Sequence, residues 1–354
     1  MTRLRRADCS APGIERRGRG RGFEYRDSRT GERVTDPEVV ERIKALTIPP
    51  AWRDVWICPH PNGHLQAVGT DAAGRRQYRY HDAWRTRRDR EKFDRMLEFA
   101  RRLPGLRGAC ASDLRAPTLG RERLLACAVR LLDHGFFRIG TEEYAEANET
   151  YGLTTMLKAH VTLDGDMVRF DYSAKAGRRR VTSLVDPAVA EVVAACRRRR
   201  TGGPELLAYK DAGRWRPLTP VLVNEYVKRH AGPRFTSKDF RTWNATVLAA
   251  VAVAVSGSAT SEAARKRAVS RAAAEVAHYL GNTPAVCRRS YIDPRIFDRF
   301  RSGWTIGGAL GELGAEVSFG QPSFQGAVEA AVVDLLTNDR ESDAVTPAEM
   351  LLAG

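Results

Sequence analysis

The sequence predicts an α+β protein in which a small β-rich N-terminal domain precedes a larger, mainly α-helical domain holding a small antiparallel sheet. Three observations predict it. Short strand-like runs separated by turn signals fill the first part of the chain, runs of helical period dominate beyond about residue 85, and turn-linked strands interrupt the helices between Val161 and Thr182. A chain of 354 residues is long enough for two cores.

Residues 1–22 are rich in Arg and Gly and are expected to be mobile. The β-rich domain covers 23–84. In it, Val55-Trp56-Ile57-Cys58 runs through Pro61-Asn62-Gly63 into His64–Gly69, a hairpin signal because Asn-Gly supplies the positive φ angles of a tight turn. Gln77-Tyr78-Arg79-Tyr80 reads as a further strand whose alternate residues share a face. A charged helix from Trp84 to Arg102 is expected to end near Pro104-Gly105, with a hinge between domains around residues 83–92.

The larger domain covers 85–304. Glu122 to Asp133 places Leu124, Leu125, Ala128, Leu131 and Leu132 on one helix face, and Gly135 stops it. Val161-Thr162-Leu163 turns through Asp164-Gly165 into Met167–Ser173, which turns through Ala174-Lys175-Ala176-Gly177 into Arg180-Val181-Thr182. Helices begin at about Pro187, Thr219, Ser237 and Glu262, and the last of them ends at Leu280. Gly281 fits the left-handed position that closes a helix; Thr283 and Pro284 fit an N-cap and first helical residue of the next helix, which carries Tyr291. Residues 305–354 read as an acidic C-terminal tail, a partly helical or disordered extension able to screen a basic face.

The charge is strongly positive, with 58 Lys and Arg against 43 Asp and Glu, a net of +15. The tail holds eight acids and one base, Arg340, so the first 304 residues carry 57 bases and 35 acids, or +22. Arginines cluster at Arg178-Arg179-Arg180 and Arg197–Arg200, an electrostatic footprint for polyanions and above all nucleic acid. The six cysteines are scattered without paired spacing, as expected of free thiols in a reducing compartment. The N-terminus lacks the apolar core of a signal peptide, and the longest apolar run, Val247–Val255, is too short to span a bilayer. A soluble intracellular protein is expected, with no membrane partner.

Asp164 and Asp166 sit on an Asp-Gly hairpin and read as turn residues rather than a metal pair. Cys58, His60 and His64 are three ligands around one hairpin without a fourth, a poor zinc site. There is no P-loop, no dinucleotide-binding glycine turn and no carboxylate cluster for magnesium. Phosphoryl chemistry in this chain would therefore stabilise charge with cationic side chains alone. Arg138, set among apolar residues after a helix stop, needs an anion, either a ligand or a structural carboxylate. Lys175 at a hairpin tip is either delivered into a groove or simply solvated. Arg241 stands beside a buried stripe of Phe240, Trp243, Val247, Leu248 and Val251. Tyr291, beside Arg288 and Arg289, is open to three readings: core packing, stacking on DNA, or a nucleophile.

Taken together, these segments resemble the type IB DNA topoisomerases of the small poxvirus-like bacterial kind. The resemblance runs from about Pro49 to Asp293. Its anchors are Pro59–Gln66, Gly74–Tyr80, Phe137–Gly140, Tyr144 through Asn148 to Thr155, Lys238–Thr242 and the Leu280–Tyr291 segment, in that order. What the resemblance implies is a catalytic set of Tyr291 as nucleophile, Arg138 and Arg241 on the phosphate, Lys175 as general acid, and Asn282 where the viral members carry His. It implies DNA contacts from Gln77, Tyr78, Tyr80, Tyr144 and Lys238. It further implies a cytoplasmic, nucleoid-associated bacterial monomer that clamps double-stranded DNA and needs neither metal nor nucleotide cofactor. Supercoils would be relaxed through a 3′-phosphotyrosyl intermediate. The competing readings are a tyrosine recombinase, against which Lys238-x-x-Arg241 stands in place of the usual His-x-x-Arg, and a non-catalytic DNA-binding protein.

Overall fold

The structure is a computed structural model that describes residues 3–20, 22–141, 145, 149–257, 261–310 and 325–347. The chain forms two compact units, Met1–Asp94 and Arg95–Gly354. Among the described residues no helix is long and apolar enough to cross a membrane.

The first unit is a five-stranded antiparallel sheet of order β2-β1-β3-β4-β5 with one short helix. Its strands are β1 (Ile14–Arg19), β2 (Gly22–Asp27), β3 (Arg53–Ile57), β4 (Leu65–Thr70) and β5 (Arg76–Tyr80). Helix α1 (Pro37–Ala45) starts at the N-cap Asp36 and contributes Ile43 to a core with Ile14, Val55, Ile57 and Ala67. The β3–β4 hairpin forms, pairing Trp56 with Val68 and Ile57 with Ala67, but its connection is longer than a tight Asn-Gly turn: Gly63 N donates to His60 O across Pro61-Asn62, and neither Asn62 nor Gly63 takes a positive φ. The reading of residues 1–22 as mobile is corrected. Ile14 is buried, β1 pairs with both β2 and β3, and Arg16 donates to the carbonyls of Ile48, Pro49 and Trp52. Arg-rich composition hid a strand whose half-buried Arg16 is hydrogen-bonded to backbone oxygens.

Helix α2 (Asp82–Leu114) crosses from the first unit into the second. The chain is helical where a hinge was expected, and it continues through Pro104 instead of ending there. A proline inside a helix removes one N–H bond. Here Leu103 and Leu106, each 1% exposed, bury the helix on both sides of it, and packing overrides the local cost.

After α2 the second unit continues with α3 (Arg121–Gly135), whose end is capped by Phe136 in the left-handed region at φ 55. Thus Gly135 is the last helical residue and Phe136 makes the turn; a Cβ on Gly135 would sit 2.2 Å from the Phe137 ring, which explains the glycine. The predicted antiparallel sheet follows as β6 (Val161–Asp164), β7 (Met167–Ala174) and β8 (Arg178–Val185). Gly165, at φ 55, turns β6 into β7 between Asp164 and Asp166. Next come α4 (Pro187–Arg198), a hairpin of β9 (Ala208–Asp211) and β10 (Arg214–Pro217) that the sequence did not signal, and α5 (Pro220–Ala231). Helix α6 (Ser237–Val255) is buried on nearly every side, including Phe240, Trp243, Ala245, Val247 and Ala249. Helices α7 (Glu262–Leu280), α8 (Pro284–Ser290) and α9 (Pro294–Arg301) complete the candidate site region.

The described part of segment 305–354 differs from the tail the composition suggested. Strand β11 (Trp304–Thr305) pairs with β12 (Thr346–Pro347), with α10 (Gly307–Leu310) and α11 (Ala327–Thr337) between them. Val328, Ala331, Val332, Leu335 and Leu336 of α11 are buried at helical spacing. Glu329 accepts from Arg107 (2.9 Å) and from Trp243 Nε1 on α6 (2.6 Å), while Arg107 also grips Asp133. Net charge concealed an apolar stripe, and one of the counted acids is an inward-facing ion-pair partner.

Candidate active site

The site is assembled on the turn between α7 and α8, as the caps demand. Gly281 closes α7 at φ 62, with its N–H donating to His278 O and that of Asn282 to Ala277 O. Thr283 Oγ1 accepts from Val286 N, and Pro284 opens α8. Seven residues later α8 ends on Tyr291, whose N–H donates to Cys287 O at 2.9 Å. Thr246 on α6 is fully buried and holds the following turn: its Oγ1 accepts from Asp293 N (3.1 Å) and reaches Thr242 O (2.9 Å) and Tyr291 O (3.3 Å). The tyrosine therefore rises from a backbone fixed on both sides.

Arg241, on the first turns of α6, donates from Nη1 to Phe136 O (2.7 Å) and from Nη2 to Leu280 O (2.8 Å). It thus ties the C-terminal ends of α3 and α7, where helix carbonyls favour a cation. Its guanidinium carbon lies 5.4 Å from the centroid of the Tyr291 ring. Arg138 projects from the loop after α3. That loop is braced by Leu153 N donating to Arg138 O and Thr154 N to Ile139 O, and by Gly140 lying against Gly152. A Cβ on Gly152 would come within 2.4 Å of the Gly140 backbone, so the approach requires glycine there. The Arg138 Nη2 donates to Asn282 Oδ1 at 2.6 Å. Asn282 Nδ2 is buried and, among the described residues, finds no partner of ordinary hydrogen-bond geometry.

Among the described residues no carboxylate pairs with Arg138 or Arg241. The structural alternative for Arg138, a salt bridge, is absent there, and two cations remain together beside a phenol. Burial, followed by the charge of Arg138, pushes Arg241 down to about 10. Burial by itself would raise the Tyr291 phenol, but the charges of Arg241 and Arg138, with hydrogen bonding from both, outweigh it and bring the group below the usual phenol value.

Lys175 is exposed in the β7–β8 turn, where Ala176 and Gly177 take φ 67 and 68. It lines a groove of about 460 Å³ together with Arg138, Arg178, Arg179, Arg180, Tyr172 and Tyr279. Lys238 is exposed in the first turn of α6, three residues before Arg241. In the first unit, Tyr78 and Tyr80 stack at 6.1 Å on the exposed face of edge strand β5 and are 46% and 40% exposed. Gln77 occupies the opposite face, by strand alternation, and donates to Asp71 Oδ2 at 2.9 Å, so it does not share the tyrosines' surface. Tyr144 lies outside the described residues.

The structure thus brings Arg138, Arg241, Asn282 and Tyr291 together and sets Lys175 on the same groove as Arg138. Sequence reasoning missed Arg180, Thr246 and the Gly140–Gly152 contact. Arg180 was detectable: counting alternate positions back from Leu184 and Thr182, half-buried residues of β8, puts it on their side of the strand.

Residues 81–300 match the family model of the eukaryotic DNA topoisomerase I catalytic core, and residues 22–71 that of the bacterial DNA topoisomerase IB N-terminal domain. The chain is 29% identical over 288 residues to a DNA topoisomerase 1B of Acanthamoeba polyphaga mimivirus, covering 79% of this chain and 85% of that protein. It is 26% identical over 160 residues to DNA topoisomerase 1 of Daucus carota, covering 45% of this chain and 19% of the plant protein. Against DNA topoisomerase 1 of Mycosarcoma maydis it is 25% identical over 227 residues, 59% of this chain and 21% of the fungal one.

Proposed function

Because this chain belongs to the type IB DNA topoisomerases, enzymes that act on DNA, we propose that it relaxes supercoiled duplex through a 3′-phosphotyrosyl intermediate on Tyr291. The observation that carries the reading is the pair of arginines around the Tyr291 phenol, neither of them paired with a carboxylate among the described residues. In the proposed step the Tyr291 oxygen attacks the scissile phosphorus in line, forming the P–O(Tyr) bond and losing its proton to solvent. The P–O5′ bond breaks, and Lys175 protonates the departing 5′-oxygen. At neutral pH an unperturbed phenol is ionised to roughly one part in a thousand. The arginine charges raise that fraction and stabilise the extra negative charge on the phosphorane oxygens.

Guanidinium suits the second task because its planar fork matches two phosphate oxygens. It suits the separate role of general acid poorly, since it holds its proton too tightly; the ammonium of Lys175 at the hairpin tip transfers one more easily. Asn282, with an unspent Nδ2 donor, adds a neutral hydrogen bond to a phosphate oxygen but carries no charge and shuttles no proton. The phosphotyrosyl ester keeps the bond energy of the diester, so resealing requires no nucleotide. The stacked Tyr78 and Tyr80 and the exposed Lys238 are proposed DNA contacts of a monomer engaging the duplex.

Supercoiled plasmid incubated with the protein in EDTA and without ATP is the test: relaxation is expected, and failure to relax it there would refute the reading. For Lys175, Lys175→Ala should lose about 10²- to 10⁴-fold in single-turnover cleavage, the usual worth of a general acid. A 5′-bridging sulfur in the substrate should restore most of that loss, because a thiolate leaves without a proton. An unrescued Lys175→Ala would place the acid elsewhere.

A further inference from the structure

Arg180 lies on β8, half-buried, and among the described residues no carboxylate pairs with it. Its Nη2 donates to Tyr279 O at 2.7 Å and more weakly to Gly135 O at 3.4 Å. Arg241 donates to the next carbonyl along in each case, Leu280 O and Phe136 O. The ends of α3 and α7 are therefore laced by two arginines that arrive from different elements. Arg241 comes from α6. Arg180 comes from the hairpin whose tip is Lys175.

The register shows how closely the tip depends on this tie. Arg180 pairs across the ladder with Tyr172, and Arg178 with Ala174, immediately below the turn. One strand residue, Arg179, separates the tie from the tip's last pair, two steps or roughly 7 Å of strand at the usual rise. On its other side Arg180 lies against the turn that carries Asn282. A Cβ on Gly281 would lie 3.1 Å from Arg180 Nη1, and Asn282 follows directly. Tyr291 has anchors that do not involve β8, through Cys287 O and Thr246. Losing Arg180 would leave the nucleophile in place and free the hairpin.

We infer that Arg180 is a positioning residue, holding the Lys175 hairpin in register with the Gly281–Asn282 turn so that the ammonium meets the leaving 5′-oxygen. The inference rests on the proposed general-acid role of Lys175. A misplacement on the order of 1 Å in such a group costs up to about 100-fold in rate.

The experiment compares wild type, Arg180→Ala, Arg180→Lys and Lys175→Ala in single-turnover cleavage of an ordinary duplex and of its 5′-bridging sulfur counterpart. Duplex affinity is measured alongside, in a Tyr291→Phe background. Arg180→Ala should cleave the ordinary duplex about 10- to 100-fold more slowly. It should recover to near wild type on the sulfur substrate and bind duplex as the Arg180-containing protein does. Arg180→Lys, which keeps the charge and one carbonyl bond, should fall between and controls for folding. Equal impairment of Arg180→Ala on both substrates, or no impairment, would overturn the inference while leaving Lys175 as the acid. Failure of the sulfur substrate to rescue Lys175→Ala would instead remove the reading on which the inference stands.

Discussion

Tyr291→Phe should abolish both covalent attachment to DNA and plasmid relaxation while leaving duplex binding intact. The expected loss exceeds that of any other single substitution because it deletes the attacking atom, and no neighbour offers a replacement in the same position. Tyr172, another phenol near the arginines, is buried on β7, and that burial raises it against the opposing charges of Arg180, Arg241 and Arg138. It stays protonated and is held by a different element. The ring of Tyr291 is retained in phenylalanine, so the packing around α8 and the backbone bonds to Cys287 and Thr246 survive. Gel relaxation and a denaturing quench read the two activities; residual relaxation at the wild-type rate would remove Tyr291 from the mechanism.

Arg241→Ala should reduce single-turnover cleavage by about 10²- to 10³-fold, the usual cost of removing one preorganised donor from a transition state. It should also move the pH dependence. In wild type the arginine charges hold the Tyr291 phenol below its ordinary value, so cleavage rises with pH through that lowered value and levels off above it. Removing one cation weakens the preference for phenolate, and the rise moves to higher pH. The defect is thus expected to narrow as pH increases. Arg241 also ties Phe136 O to Leu280 O, so Arg241→Lys serves as the control that keeps a charge and one bond. A deficit independent of pH in both variants would assign Arg241 to structure instead of charge.

What could be read from the sequence follows from which features are local. The α7–α8 turn was legible because Gly281, Thr283 and Pro284 each take a backbone role dictated by their own chemistry, and the structure repeats those roles residue for residue. The Lys175 hairpin was legible from its turn residues in the same way. Arg138 and Arg241 could be flagged as cations among apolar neighbours, but the Arg138 bond to Asn282 and the Arg241 bond to Phe136 O join residues 144 and 105 positions apart. Thr246 looked like one more residue of an apolar helix, and only the fold brings Asp293 to it. Composition misled at both ends: arginines around Ile14 suggested mobility, and acids around Val328 and Leu335 suggested a tail, though each segment is packed. Gln77 shows a finer distinction. The strand was identified correctly, but its alternation sends Gln77 to the face away from Tyr78 and Tyr80.

The most direct test of the central claim is to trap the covalent complex on plasmid DNA and map both the modified residue and the DNA end. The account requires Tyr291 joined to a 3′-phosphate, with a free 5′-hydroxyl on the other end. An adduct on another residue, attachment to a 5′-phosphate, or relaxation with no covalent adduct would contradict it.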